Sequence, residues 1–300
     1  MTRLLSFFAA LVLAGVAVSS ACVAGPVSLL AASSTLTFKL QPARTSDRIR
    51  ASFEMDRRGD RDDTDWSTSF AASEFAGLDL GQLRGRGNGP VAFSLTREAG
   101  RLDCSGNGGG GYANGSCRFT PNAVFSNLLV SRGMQRPTEE QGFALMAVDA
   151  HAELIDALAA ARYPTPSLSD YIAMSALDVS GGYIRDLARA GYRPETTSSL
   201  IEFKALDISP EWIGGFVRIG YANLPADELV QMKALGITPE FVAGFERIGY
   251  RGLAVDTLVE LKALDVTPEF IQSLERAGIN HPSPDQAVRI KAVGLPPRAR

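Results

Sequence analysis

Apolar and polar residues alternate along this chain in two rhythms. Between about Ser34 and Phe119 the rhythm is two: "TLTFKL" from Thr35, "RIRASFEM" from Arg48 and "VAFSLT" from Val91 place apolar side chains at every second position. That is how strands with one buried face read. "GRLDC" from Gly100 and "SCRFTP" from Ser116 form a further strand pair, and the connections are rich in Gly and Asp. A small antiparallel sheet or sandwich is expected over residues 34–119, with a disulfide between Cys104 and Cys117 closing that pair.

After Phe119 the rhythm becomes helical. "DELVQMKAL" from Asp227 and "DTLVELKAL" from Asp256 space apolar residues by three and four. A longer period lies over it. "ALDISPEWIGGFVRIGY" begins at Ala205, "ALGITPEFVAGFERIGY" at Ala234 and "ALDVTPEFIQSLERAGI" at Ala263, so that Ala176, Ala205, Ala234 and Ala263 stand 29 residues apart, with Ala147 and Ala292 in register. A fixed period without insertions predicts stacked helical hairpins, each covering its neighbour's apolar face. The expected fold is α+β: the antiparallel β domain, then an all-α solenoid over residues 120–297. Six leading and six trailing helices can be counted, the first trailing one lying in an enlarged copy, "TPNAVFSNLLVSRGM", from Thr120.

The helix ends are written in the columns. Thr138, Ser167, Thr196 and Ser283 open leading helices with a hydroxyl, and Gln141 and Gln286 complete capping boxes, whereas Pro225 and Ala254 break the column. Trailing helices open with Ser209-Pro210-Glu211, Thr238-Pro239-Glu240 and Thr267-Pro268-Glu269: a cap, a proline where no amide hydrogen is needed, and a carboxylate at the positive end of the dipole. They close at Gly191, Gly220, Gly249 and Gly278, two residues after Arg189, Arg218, Arg247 and Arg276. Tyr183, Trp212, Phe241 and Phe270 form an aromatic row, Leu206, Leu235 and Leu264 an aliphatic one, and Lys204, Lys233, Lys262 and Lys291 a cationic one. Core packing and dipole compensation account for these rows more simply than a ligand platform or an anion ladder. Binding specificity is expected where the copies differ: Arg185, Asp186, Gly214, Gly215, Ala243, Gly244, Gln272 and Ser273.

Other features set the compartment. "MTRLLSFFAALVLAGVAVSSACVAG" puts Arg3 before an apolar stretch from Leu4 to Val18, shorter than the roughly 20 residues of a spanning helix, so residues 1–24 are expected to be a signal peptide. Cys22 follows Val18-Ser19-Ser20-Ala21, which resembles a bacterial lipoprotein site except at Ser19; lipidation of Cys22 and cleavage after Ala21 or Ala24 both stay open. The expected location is extracytoplasmic, periplasmic or secreted, with membrane attachment only through such a lipid.

Catalytic, cofactor and metal residues are expected to be absent. No His-Glu-x-x-His, paired Cys-His ligands or nucleophile elbow occurs, and His151 and His281 are far apart. "GNGGGG", Gly106 to Gly111, has no helix after it and Tyr112 where a phosphate loop needs lysine, so it reads as a hairpin loop. The acidic run Asp56–Asp65 lacks the glycine and glutamate of a calcium loop and reads as a solvated connection; whether it holds an ion stays open. His151 aligns with the capping Ser180. Net charge is −3, and from Thr120 onward 17 Lys and Arg face 22 Asp and Glu, a balance that repels nucleic acid.

The phrase [ST]-P-E-[FW]-[IV]…R-x-G-Y, with "DWSTSF…VAFSLTREAGRLDC…CRFTPN" before it, resembles a group of bacterial extracytoplasmic proteins of unassigned function. Similar repeats follow a membrane-embedded metallopeptidase of the beta-lactam-sensor type in some of them; the peptidase and its zinc motif are absent here. The resemblance implies an accessory or sensing module and transfers no catalytic residue. The expected function is non-enzymatic binding of an envelope or membrane protein. The alternative is a cell-envelope hydrolase or carbohydrate-binding protein acting through the β domain. A non-repeating concave patch on the array would favour the first, and a pocket in the sheet with two converging carboxylates the second.

Overall fold

The computed structural model describes residues 35–43, 47–56 and 64–294. The leader with Cys22, and residues 57–63 of the acidic run, lie outside the described residues.

Seven strands form one antiparallel sheet: β1 (Thr35–Pro42), β2 (Arg48–Asp56), β3 (Thr64–Ala71), β4 (Phe75–Ala76), β5 (Gly89–Arg97), β6 (Gly100–Gly109) and β7 (Tyr112–Pro121), in the order β3-β2-β1-β7-β6-β5-β4. Alternation sets its inner face, with Leu36, Phe38, Leu40, Ile49, Ala51, Phe53, Val91, Phe93, Leu95 and Leu102 buried. The sheet is a single curled layer rather than a sandwich. Edge-to-face rings carry the curl: Phe38 on Phe93 at 5.0 Å, Phe93 on Phe75 at 5.2 Å, Phe75 on Phe70 at 5.2 Å and Phe70 on Phe53 at 6.3 Å. Phe75 and Phe70 belong to the two edge strands, so those rings draw the edges together.

Cys104 stands opposite Cys117 in the β6–β7 register, and the two form the disulfide. The glycine run is only partly a loop. Gly106 to Gly109 are strand, and a Cβ on Gly106 would stand 2.0 Å from the Asn114 carbonyl oxygen. The turn itself is Gly110-Gly111, at φ 64° and 85°, the mirror-image two-residue turn that suits strand twist. Its tip is tied to the end of the short helix α1 (Leu80–Arg84), where Gly111 donates its amide to the Leu83 carbonyl at 2.9 Å.

Twelve helices follow among the described residues: α2 (Ala123–Ser131), α3 (Glu139–Ala147), α4 (Ala152–Ala160), α5 (Leu168–Ala176), α6 (Gly181–Arg189), α7 (Thr197–Ala205), α8 (Pro210–Arg218), α9 (Ala226–Ala234), α10 (Pro239–Arg247), α11 (Val255–Ala263), α12 (Pro268–Arg276) and α13 (Pro284–Val293). From α3 on, odd-numbered helices lead and even-numbered helices trail, at the spacing of the sequence. α2 has nine residues like the other trailing helices, so the opening copy is not enlarged.

The caps are where the columns put them. Ser209, Thr238 and Thr267 each accept the amide of the third residue on, at 3.2 Å, Thr138 and Ser283 close capping boxes, and α9 and α11 lack a side-chain cap. Trailing helices end in paired backbone bonds about a left-handed glycine: Gly220 to Val217 at 3.2 Å and Tyr221 to Phe216 at 3.0 Å.

Leading helices end the same way about Asp149, Asp178, Asp207, Gly236 and Asp265, all at positive φ, a stop the columns conceal behind aspartate. Each helix packs on the next of its kind, as α4 on α6 and α5 on α7. Ile213, Phe216, Leu229 and Met232 are buried between layers; in the leucine row Leu206 is half-buried against the core, but Leu235 and Leu264 are 36% and 38% exposed, so their neighbours cover them only in part. Phe119 of β7 meets Phe143 of α3 at 5.9 Å, and one core runs unbroken from the sheet as far as Leu229. Among the described residues no helix is long and apolar enough to cross a membrane.

Candidate functional site

The lysine and aromatic rows of the repeat satisfy one another. Lys204 lies over Tyr183 at 4.8 Å, Lys233 over Trp212 at 5.5 Å, Lys262 over Phe241 at 5.0 Å and Lys291 over Phe270 at 4.8 Å. Each lysine of a leading helix thus covers the aromatic ring of the trailing helix before it, and neither row is a vacant platform or an anion ladder.

The eight residues at which copies differ do not form one patch. Gly215 and Gly244 are buried seats for the next trailing helix: a Cβ there would meet Pro239 Cγ at 2.5 Å or Pro268 Cγ at 2.9 Å. That corrects their assignment to a free surface. Gly214 and Ala243 are half-buried beside them, and Ser273 turns its hydroxyl onto the Phe270 carbonyl at 2.6 Å. Gln272 is exposed, with its carbonyl accepting from Arg276 at 3.3 Å. Asp186 is exposed but paired with Arg189. Arg185 alone of the eight is an exposed charge with no ion pair among the described residues.

The array is interrupted elsewhere. Tyr221 and Tyr250 staple each copy to the next linker by donating their hydroxyls to the carbonyls of Leu253 at 2.7 Å and Pro282 at 2.6 Å. Tyr192, the residue of the same column one copy earlier, makes no such bond to Leu224; its ring stacks on Phe203 at 5.6 Å. Where that staple is missing, a cleft of about 580 Å³ opens between the linker before α7 and the start of α9. Tyr192, Glu195, Ser199, Glu202, Asn223 and Asp227 line it. Burial, then the charges of Glu195 and Asp227, hold the Tyr192 phenol above its ordinary range. Arg193 on the rim is turned away, donating to the Ala161 and Arg162 carbonyls at 2.9 and 3.1 Å. The field inside is therefore negative.

A second cluster joins sheet to array. Glu98, in the β5–β6 turn, accepts the Ala152 amide at 2.9 Å and meets His151 Nδ1 at 2.9 Å. The cap of α4 is thus supplied by Glu98, and the His151 imidazole at the cap position makes no capping bond itself, contrary to its alignment with Ser180. Arg97 donates to the last carbonyls of α3, Met146 and Ala147, at 3.0 and 2.7 Å, and pairs with Glu74 at 3.0 Å and Asp149 at 3.4 Å. His151 Nε2 lies 3.5 Å from Asp149.

The hydrogen bond to Glu98 raises the His151 pKa against the opposing effect of burial, and Asp149 adds to the rise. Partial burial works to raise Glu98, but the Ala152 amide and His151 hold it below its ordinary range. No sequence signal pairs Glu98 with His151, because the contact crosses from a turn of the sheet to a helix cap.

The curled sheet offers an open depression along Ala92, Ser94, Arg101, Asp103 and Ser105, in which Asp103 is bonded to Arg101 at 2.8 Å and no second carboxylate converges among the described residues. Among the described residues no group of three or more His, Cys, Asp or Glu is placed to hold a metal ion. Compared with known proteins, the chain matches no family model, no curated sequence and no solved structure.

Proposed function

We propose that the chain is an exported, non-enzymatic module that binds a segment of an envelope or membrane protein in the cleft at Tyr192. The observation that carries this reading is the break in periodicity. Copies on the C-terminal side are stapled by tyrosine, whereas the Tyr192 copy leaves a cleft of about 580 Å³ whose lining includes Glu195, Ser199 and Asn223, residues the other copies do not repeat. Repeat arrays hold their stack with the common residues and recognise with the variable ones. The lining carboxylates favour an extended segment carrying basic side chains. The apolar leader and the cross-strand disulfide support a location outside the cytoplasm. The resemblance of the repeated phrase to bacterial extracytoplasmic proteins supports an accessory or sensing role.

The test is photocrosslinking of the mature chain in its native envelope, with the reactive group at Ser199 in the cleft and, as control, at Arg289 on α13. A partner captured from Ser199 and lost with Asp227→Lys is the expected result. No capture from Ser199, together with a glycan that raises the melting temperature, would replace this reading with carbohydrate binding by the sheet.

A further inference from the structure

The groove between α4 and α6 lacks the side chains that fill the later grooves between trailing helices. In the copies after it, Arg218 and Arg247 lie back across their own helices, with guanidinium nitrogens 3.7 Å from where a Cβ on Gly215 or Gly244 would stand, and Pro239 and Pro268 close the space from the next helix. Between α4 and α6 both devices are missing. Ala160 occupies the arginine column and Gly181 the proline column. What remains is an apolar groove of about 300 Å³, floored by Ala157, Ala160, Ala161, Ile184 and Ala188. That volume is at the lower end for pockets that hold a small organic ligand.

Its charged wall is cationic only. Arg185 stands at the edge with no ion pair among the described residues, and its Nη1 lies 3.2 Å from where a Cβ on Gly181 would be. The nearest carboxylate there, Glu153, is 3.8 Å from that same point and does not reach Arg185 as an ion pair. Arg193 stacks on Tyr163 at 4.8 Å and keeps its positive charge over the groove while donating to the Ala161 and Arg162 carbonyls. Tyr163 walls the groove, is 7% exposed, and its buried hydroxyl has no hydrogen-bond partner. Burial raises the pKa of that phenol, which keeps it a neutral donor. The hydroxyl itself is shut away from the groove surface, so Tyr163 serves the groove as an apolar wall.

We infer that the groove between α4 and α6 binds a small amphiphile, an unbranched acyl chain ending in a carboxylate. The methylenes lie on the alanine floor and against Tyr163, and Arg185 and Arg193 supply the countercharge. The groove is too small for a protein interface, which needs upward of about 1,000 Å². This site is separate from the Tyr192 cleft and does not depend on the protein-binding reading.

The test is calorimetric titration of the mature chain with decanoate below its micelle concentration, beside methyl decanoate and decyltrimethylammonium. Decanoate should saturate at one per chain, with the ester at least about threefold weaker and the cation silent, since an exposed ion pair is worth roughly that factor. Ala188→Leu and Ala160→Arg both fall at exposed positions and fill the groove; both should abolish binding while leaving the helical circular dichroism unchanged. Arg185→Ala should weaken decanoate without weakening the ester, whereas Tyr163→Phe, which keeps the ring, should leave both unchanged.

Equal binding of acid, ester and cation would overturn the inference, as would unchanged decanoate binding in both filled variants. A C-terminal peptide that binds where decanoate does not would make the occupant a protein end instead.

Discussion

Single residues decide how each helix of the array stops. Among the described residues seven non-glycine residues have positive φ, and Asp149, Asp178, Asp207 and Asp265 among them occupy the left-handed position after leading helices. Aspartate tolerates that conformation better than most residues, and glycine better still. Arg162 is the outlier, at φ 60° in a column that otherwise holds Gly133, Gly191, Gly220, Gly249 and Gly278. Its side chain is exposed, so Arg162→Gly should stabilise the fold by about 1 kcal/mol, read as a raised urea midpoint at unchanged slope. A loss of stability would mean that the guanidinium holds something its backbone does not show. The glycine stops were legible in the sequence because glycine has few other uses at a helix end. The aspartate stops were not, since "ALD" reads as a polar turn and only "ALG" at Gly236 betrays the conformation.

At the scale of elements, caps and periods were legible because they are local, and pairings were not. The 29-residue spacing, the Ser/Thr-Pro-Glu starts and the strand alternation each need only a few neighbouring residues. The curl of the sheet depends on Phe70 meeting Phe75 across two edges, and each lysine-aromatic rung joins different helices, as Lys204 with Tyr183. Such contacts depend on how layers turn relative to one another, which no column records.

The Pro-on-Gly seat is of this kind, and Gly215→Ala should cost about 1–3 kcal/mol because its methyl would stand 2.5 Å from Pro239, a clash that either helix relieves only by shifting. The Glu98 cap is another. Glu98→Ala should lower stability by about 1 kcal/mol at pH 6 through loss of the α4 cap. The His151 pKa is raised from 6.5, so its contribution is complete below that value and fades as pH rises through the folded pKa. The Glu98 pKa is lowered from 4.5, so its share is present above that value and is lost as pH falls through the folded pKa.

The junction is thus strongest between about pH 4.5 and 6.5, flanked by Arg97, Glu74 and Asp149. Because the His151 and Glu98 side chains are 54% and 44% exposed, the fall from pH 6 to pH 8 should stay below about 1 kcal/mol. It should vanish in His151→Gln; a slope that persists there would place the titration elsewhere.

The whole molecule has a gradient. One core joins the sheet to the copies as far as Leu229, and beyond it Val242 and Phe245 belong to two smaller clusters. Stacked copies gain stability mainly from their nearest neighbours, so the far copies should open first. Hydrogen exchange should find the amides of α11 and α12 less protected than those of α3 and α5, and reduction of Cys104–Cys117 should lower the melting temperature through a loss of about 2–4 kcal/mol in the sheet. Uniform protection from α3 to α12 would mean that the array unfolds as one unit.

Because α8 seats on α10 and α10 on α12 through the same few atoms, this part of the array has a natural ruler. Excising residues 226–254 would bring Pro225 against Val255 in the place of Ala226, and Gly215 against Pro268 in the place of Pro239. Lineages could thus lengthen or shorten this protein by whole copies, resizing whatever it reaches without redesigning either end.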